Sequence, residues 1–246
     1  MPLLPELSVR RREAEWMDEP GADPKELADA LKFIRRVNAW LGYTRATLSH
    51  LERFSRGWPR GRSITIVDLA TGSADVPLEI VRWSRGRGWD VRVVGVDLHE
   101  STVEAARQAT AGEPTIKIVR GDALDLPFAA GSFDYAMTSM FLHHLSDEQV
   151  VRVLREMDRV ARRGVLAADL LRHRRAYGWI SLLTLLSNRM VRHDARVSVA
   201  QAFTRDEVLA LRDRAQLPYL RFSPHFGHRF VLAGEKSQPK PENGRA

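Results

Sequence analysis

Three aspartates have the type and spacing to bind one ligand. Asp68 lies near the end of "ITIVDLA", Asp97 near the end of "VRVVGVDL", and Asp122 in "GDALDLPF" just after "TIKIVR". Each follows an apolar, β-branched run of strand length, so each is expected at the carboxyl end of a strand. Between Asp68 and a helix start lies the loop "ATGSAD", Ala70 to Asp75, whose small residues let a ligand approach the backbone. The helix start adds unpaired N–H groups. The loop has no lysine, so it is not an ATP phosphate loop, and Asp75 would repel a phosphate placed there. It has one glycine, Gly72, where a dinucleotide fingerprint needs G-x-G-x-x-G. Acids at both edges, Asp68 and Asp75, favour a ligand with positive charge. Asp97, 29 residues after Asp68, can accept both hydroxyls of a ribose. Asp122 can accept from an exocyclic adenine amine, with Leu98 and Ala123 sandwiching the ring. Together these residues describe an adenosine with a cationic group and no phosphates.

Histidines supply the second set of candidates, because imidazole titrates near neutrality and can serve as a general base. His143 and His144 directly follow the expected strand "FDYAMTSMF". His193 stands beside Asp194 in "NRMVRHDARVSVAQAF" and could face an acceptor from a helical insertion; a solvated charged turn is the plainer reading. Asp169, Arg172 and His173, in "ADLLRHRRAYGW", are candidates for substrate contact. His225 and His228 flank a final turn and are expected at the surface. Trp16, Met17, Trp40 and Tyr43 could close over the ligand, although packing between a helical cap and the sheet accounts for them more simply. No metal ligand set is expected, and the absence of cysteine excludes thiolate sites and disulfides.

The elements that must position these residues alternate. Residues 1–60 read as an arm followed by a helical cap. One helix starts at Asp23–Pro24 with Leu27, Leu31, Ile34, Val37 and Leu41 on one face and a stop at Gly42, and a second spans Thr44–Phe54. "RGWPRGR" breaks the pattern as a linker. Residues 61–235 then repeat strand, loop, helix: "ITIVDLA" and Asp75–Ser84, "VRVVGVDL" and Ser101–Ala109, "TIKIVR", "FDYAMTSMF" and Asp147–Ala161, "GVLAADL". This rhythm argues for an α/β fold, a parallel sheet with helices on both faces. Residues 176–203 are expected as a lid-like helical insertion, with one helix over Ala176–Val191. Thr204 and Glu207 form a capping-box pattern, and "YLRFS" and "HRFVLAGE" read as a hairpin-like strand pair. The polar tail 236–246 reads as disordered.

The chain has 246 residues, 44% hydrophobic and 28% charged, enough to bury one good core. Its charge of +7 raises nucleic acid as a partner. The basic residues are spread among acids, without interleaved aromatics, so nucleic-acid binding is not expected. "MPLLPELSVRRREAEW" lacks the apolar core of a secretion signal, and "GWISLLTLLS" is about half of a membrane span. A cytoplasmic protein, monomer or homodimer, is expected.

At these motifs the chain resembles the class I S-adenosylmethionine-dependent methyltransferases, strongly over about Ile64 to Leu170 and weakly at the C-terminal strand pair. The family's first motif, D/E-x-G-x-G-x-G, is matched by Asp68, Ala70, Gly72 and Ala74, with alanine at two glycine positions. Asp97 and Leu98 match its ribose acid and adenine-packing residue, Asp122 its adenine-edge acid, "FDYAMTSMFLHHL" its fourth-strand motif, and "RRGVL" the turn after it. The resemblance implies a Rossmann-like sheet of seven strands with the last antiparallel. It implies S-adenosylmethionine as cofactor and S-adenosylhomocysteine as product. The contacts expected on this basis are Asp68, Ala70, Thr71, Gly72, Ser73, Asp75, Asp97, Leu98, Gly121, Asp122, Ala123 and Met140. The apolar insertion points to a small hydrophobic acceptor, phenolic or polyketide-like, methylated at oxygen; no N-P-P-Y sequence of amine and amide methyltransferases is present. An RNA methyltransferase, or a silent cofactor-binding module, are the alternatives.

Overall fold

A computed structural model describes residues 6–18, 23, 25–26, 29–30, 33 and 43–237. Of the first cap helix, Lys25, Glu26, Asp29, Ala30 and Phe33 are helical. Asp23 Oδ1 accepts from the N–H groups of Lys25 and Glu26 at 3.0 and 2.8 Å, as an N-cap does. Pro24, Leu27, Leu31, Ile34, Val37, Trp40, Leu41, Gly42 and the tail from 238 lie outside the described residues.

The second cap helix, α1 (Tyr43–Ser55), leads into β1 (Ile64–Leu69), α2 (Asp75–Arg85), β2 (Val91–Asp97), α3 (Glu100–Ala109), β3 (Ile116–Arg120) and β4 (Phe133–Ser139). Then follow α4 (Asp147–Val160), β5 (Ala161–Leu170), α5 (Arg174–Leu183), α6 (Arg189–Gln201), α7 (Arg205–Ala215), β6 (Arg221–His225) and β7 (Arg229–Glu235). The strands form one seven-stranded sheet in the order β3-β2-β1-β4-β5-β7-β6. The first five are parallel, and β7 runs antiparallel to both β5 and β6. This is the expected Rossmann-like architecture.

Burial explains the near-continuous apolar runs. β1 has Ile64, Ile66, Val67 and Leu69 fully inaccessible, because helices cover both faces of the sheet. One face packs mainly against α4 and α7, the other against α1, α2 and α3. Tyr135 pins the cap to the sheet: its hydroxyl donates to Glu235 at 2.6 Å and accepts from Trp58 Nε1 at 2.8 Å. The Thr204–Glu207 capping box opens α7 as its sequence indicates, and a second box, Ser146–Gln149, opens α4.

Two readings need correction. Ala176–Val191 is not one helix but parts of two, α5 and α6. The Asn188 side chain accepts from Val191 N–H and starts a new helix there, a local bond that competes with a continued turn. "RRGVL" is not a turn; α4 ends at Val160 and β5 begins at the next residue. In β6, Pro224 is tolerated because the strand is at the sheet edge.

Candidate active site

The order of strands reverses between β1 and β4, and at such a point the loops part to leave a crevice beyond the strand ends. The loop after β1 lines that crevice. Its path is left-handed three times, at Ala70 (φ 53°), Gly72 (φ 55°) and Ala74 (φ 60°). For alanine this costs about 1–2 kcal/mol per residue, so packing must enforce it. Thr71 does part of this. Its N–H donates to Val96 O at 3.0 Å, and its hydroxyl donates to Asp68 Oδ2 at 2.7 Å. The side chain has room because β2 carries Gly95 beneath it; a Cβ there would stand 2.8 Å from Thr71 Oγ1.

Asp68 is 2% exposed, and its Oδ1 has no partner among the described residues. Burial pushes its pKa up to about 7; Thr71 opposes this and the Asp97 charge adds to it. A buried carboxylate on a cavity wall suits an ammonium or other cation, which would draw the proton affinity down again. The neighbouring strand ends connect through the backbone. Gly72 N–H donates to Asp97 Oδ2 at 3.0 Å, and Gly121 N–H donates to Asp97 O at 2.9 Å. Asp97 Oδ1 accepts from His99 N–H at 3.2 Å, and Asp122 Oδ1 from Leu124 N–H at 2.8 Å. Each carboxylate retains lone pairs for a ligand hydroxyl or amine. Leu98 is half exposed and Ala123 is buried.

The crevice opens into a cavity of about 1420 Å³. Asp68, Ala70, Thr71, Gly72, Ser73 and Asp75 line one side, with Met140 and His144 after β4. Leu48 of α1, Trp179, Ile180 and Leu183 of α5, Val191 of α6 and Phe226 of the β6–β7 turn line the other. Asp97, Leu98, Gly121, Asp122 and Ala123 are not on this wall; Asp97 is joined to it through Gly72, and Gly121 through Asp97.

The paired histidines divide. His143 is buried and does not line the cavity. Asp169 takes its backbone N–H at 3.0 Å and its Nδ1 at 2.7 Å. Its Nε2 lies 3.9 Å from Glu15 Oε1. Burial works against charge on His143, but Asp169 and Glu15 outweigh it and raise its pKa, while His143 holds Asp169 below the ordinary carboxylate range against burial. His144 faces the cavity and is exposed there, its ring 4.1 Å from that of His143; crowding of protein around the ring and the neighbouring His143 charge lower its pKa.

Other expected contacts move. His193 does not line the cavity: it stacks on Trp16 at 4.0 Å and bonds Asp194 at 2.9 Å and Glu13 at 3.2 Å. Arg172 is buried against Glu207 and the carbonyl of Ala202, and Asp169 is fully buried, so neither reaches the cavity. His173 caps α5 and stacks on His228. His225 and His228, expected at the surface, line the cavity instead. Met17 lines it too, because the Asp194 carboxylate takes the N–H groups of Trp16 and Met17 at 2.8 and 3.0 Å. The sequence reading missed Glu15 and Ser139, both on the cavity wall. Glu15 had no signal, since an arm without periodicity does not reveal where it docks. Ser139 stands at the end of β4, where Met140 turns left-handed (φ 54°) and donates its N–H to Ala168 O at 2.9 Å.

Residues 66–164 match a family described as "Methyltransferase domain". A demethylmenaquinone methyltransferase of Staphylococcus aureus (strain MRSA252) is 32% identical over 103 residues, 42% of this chain and 41% of that protein. The protein of the same description from strain JH9 is 34% identical over 98 residues, 40% of this chain and 39% of that one. The chain thus matches about two fifths of the length of these curated relatives. Among solved structures, the plantazolicin methyltransferase BpumL in complex with a triazolic desmethylPZN analog and SAH superposes over 91% of this chain and 94% of that one, with TM-score 0.68 and 12% identity. An S-adenosylmethionine-dependent methyltransferase from Aquifex aeolicus covers 85% and 97%, with TM-score 0.61 and 16% identity.

Proposed function

We propose that this chain, whose fold and central domain are those of a class I S-adenosylmethionine-dependent methyltransferase, methylates a small apolar acceptor at an acidic hydroxyl oxygen. One observation carries the reading. A single cavity has the Asp68–Asp75 loop on one side and an apolar wall from α1, α5, α6 and the β6–β7 turn on the other.

S-adenosylmethionine supplies an electrophilic methyl group on a sulfonium. Of this chain, Asp68 would hold the ammonium, Asp97 the ribose and Asp122 the adenine edge, with Leu98 and Ala123 against the ring. The unpartnered Asp68 Oδ1 fits that assignment. His144, neutral at physiological pH, accepts a hydrogen bond from the acceptor hydroxyl and orients it. Its low basicity makes it a weak sink for the proton, so the acceptor must itself be acidic. An ordinary phenol, with a pKa of about 10, is too weak an acid; an enol flanked by carbonyls, or a phenol acidified by its ring substituents, meets that condition and reacts as the anion, its proton released to solvent before transfer. Buried His143, clamped between Asp169 and Glu15, acts as a positioning residue for the turn that carries His144. The apolar wall excludes water and holds the acceptor in reach, and such positioning supplies several kcal/mol of the rate enhancement. The demethylmenaquinone of the relatives' names belongs to the same apolar small-molecule class.

The test uses S-adenosylmethionine with an isotopically labelled methyl group and a panel of phenols, quinols and enolic polyketides. S-adenosylhomocysteine should form together with a labelled O-methyl product. Label on carbon would overturn the oxygen assignment, and no transfer to any member would overturn the acceptor class. His144→Ala should lower turnover with little change in cofactor affinity.

A further inference from the structure

The least accounted-for surface is α5 and the turn after it. Trp179, Leu182, Leu183, Leu185 and Leu186 are exposed, Leu186 fully, and α5 buries no residue completely. Phe226, 83% exposed, joins them. Its turn is tied to the start of α5 by the stacking of His228 on His173, ring centroids 4.6 Å apart. A contiguous apolar patch of this kind on a folded chain marks an interaction surface.

The charges around it say which partner. From Leu170 to His193 the sequence has five arginines and no acid. Arg172 is committed to Glu207, but Arg174 and Arg175 at one end of α5 and Arg189 beyond the other are exposed. Apolar side chains and a tryptophan bracketed by arginines suit the boundary between acyl chains and anionic headgroups. With ten residues α5 is about 15 Å long, half the thickness of a bilayer core, and no described helix is long and apolar enough to cross a membrane. The helix would therefore lie along the interface. A partner protein or a second copy would need no such excess of one charge, whereas an anionic bilayer matches it.

We propose that α5, the turn after it and Phe226 dock this protein on an anionic lipid surface. Trp179, Ile180, Leu183 and Phe226 also line the cavity, so an acceptor dissolved in the lipid would enter without crossing water. That route rests on the function proposed above; the docking does not, and it is read without turnover.

The test is co-sedimentation of the full chain with vesicles of phosphatidylcholine alone or mixed with phosphatidylglycerol. Binding is expected to the mixed vesicles and to weaken with salt. Leu182→Ser with Leu186→Ser, or Arg174→Glu with Arg189→Glu, should each lower the partition constant by about tenfold or more. None of these residues lines the cavity, so thermal melts and S-adenosylmethionine affinity should stay at wild-type values. The proposal is overturned if the wild type does not sediment with mixed vesicles, or if the leucine variant sediments as well as the wild type. A wild-type dimer by sedimentation equilibrium that the leucine variant converts to monomer would give the face to a second copy instead.

Discussion

The two sides of the cavity are built on opposite terms. On the side of β1, β2 and β4, polar groups are buried and almost all are engaged: Thr71 on Asp68, Gly72 on Asp97, His143 on Asp169. Left-handed alanines are forced into place there. On the side of α5 and the β6–β7 turn, the wall is apolar, the helix buries nothing fully, and large side chains stand in solvent. Geometry is fixed where buried polar groups must each meet a partner, and packing is loose where apolar side chains only line a wall. Substitutions should therefore be costly on the first side and cheap in stability on the second.

The largest effect should come from Asp169→Ala. It removes the acceptor of two hydrogen bonds from His143 and leaves a buried imidazole facing Glu15. Breaking a buried pair in this way costs about 3–5 kcal/mol, read as the loss of unfolding free energy in urea. A variant as stable as the wild type would remove the clamp from the account. Next is Asp97→Ala, which should weaken S-adenosylmethionine binding by about tenfold to a hundredfold, the loss of a charged hydrogen-bond acceptor worth about 1.5–3 kcal/mol. Unchanged affinity by calorimetry would end the ribose assignment.

Asp68 sharpens the contrast through pH. Its pKa is raised from 3.8 in the unfolded chain to about 7 in the fold. Between those values the folded state binds more protons than the unfolded, so the stability of the ligand-free protein should fall as pH rises through this window. Cofactor affinity should move the other way, rising by about tenfold as the carboxylate ionises and meets a cation. Asp68→Asn should flatten both profiles; a slope that persists would place the titration elsewhere. Smaller still is Ala70→Gly, which relieves a left-handed alanine that is only partly buried and should add about 1 kcal/mol of stability. The smallest is Leu186→Ser on the other side. Fully exposed, it should change stability by less than about 0.5 kcal/mol. A larger loss would mean that α5 is held more tightly than its exposure indicates.

The strand ends that carry the three acids could be anticipated because their signals are local. A β-branched run ending in an acid, then a loop of small residues, places Asp68, Asp97 and Asp122 at strand ends whatever else the chain does. Even so, alanine at 70 and 74 left the loop's path open, and only packing under Thr71 on Gly95 decides it. His143 and His144 were adjacent candidates with equal claims. A helical turn points neighbouring side chains in different directions, one into Asp169 and one into the cavity. The break between α5 and α6 was hidden because apolar spacing continues across Asn188. Glu15 could not be read at all, and His225 and His228 were read as surface, since their positions depend on where the arm and the last hairpin come to rest.

By itself the sequence determined the alternation of strands and helices, the acids at the strand ends and the exclusion of thiolate chemistry. These follow from periodicity and residue type within short windows. Tertiary structure alone decided which histidine meets the cavity, which carboxylate keeps one buried oxygen without a partner among the described residues, and what lines the apolar wall. Those depend on contacts between segments far apart in the chain, Glu15 with His143 or His173 with His228, whose formation is set by the burial of surface across the whole fold.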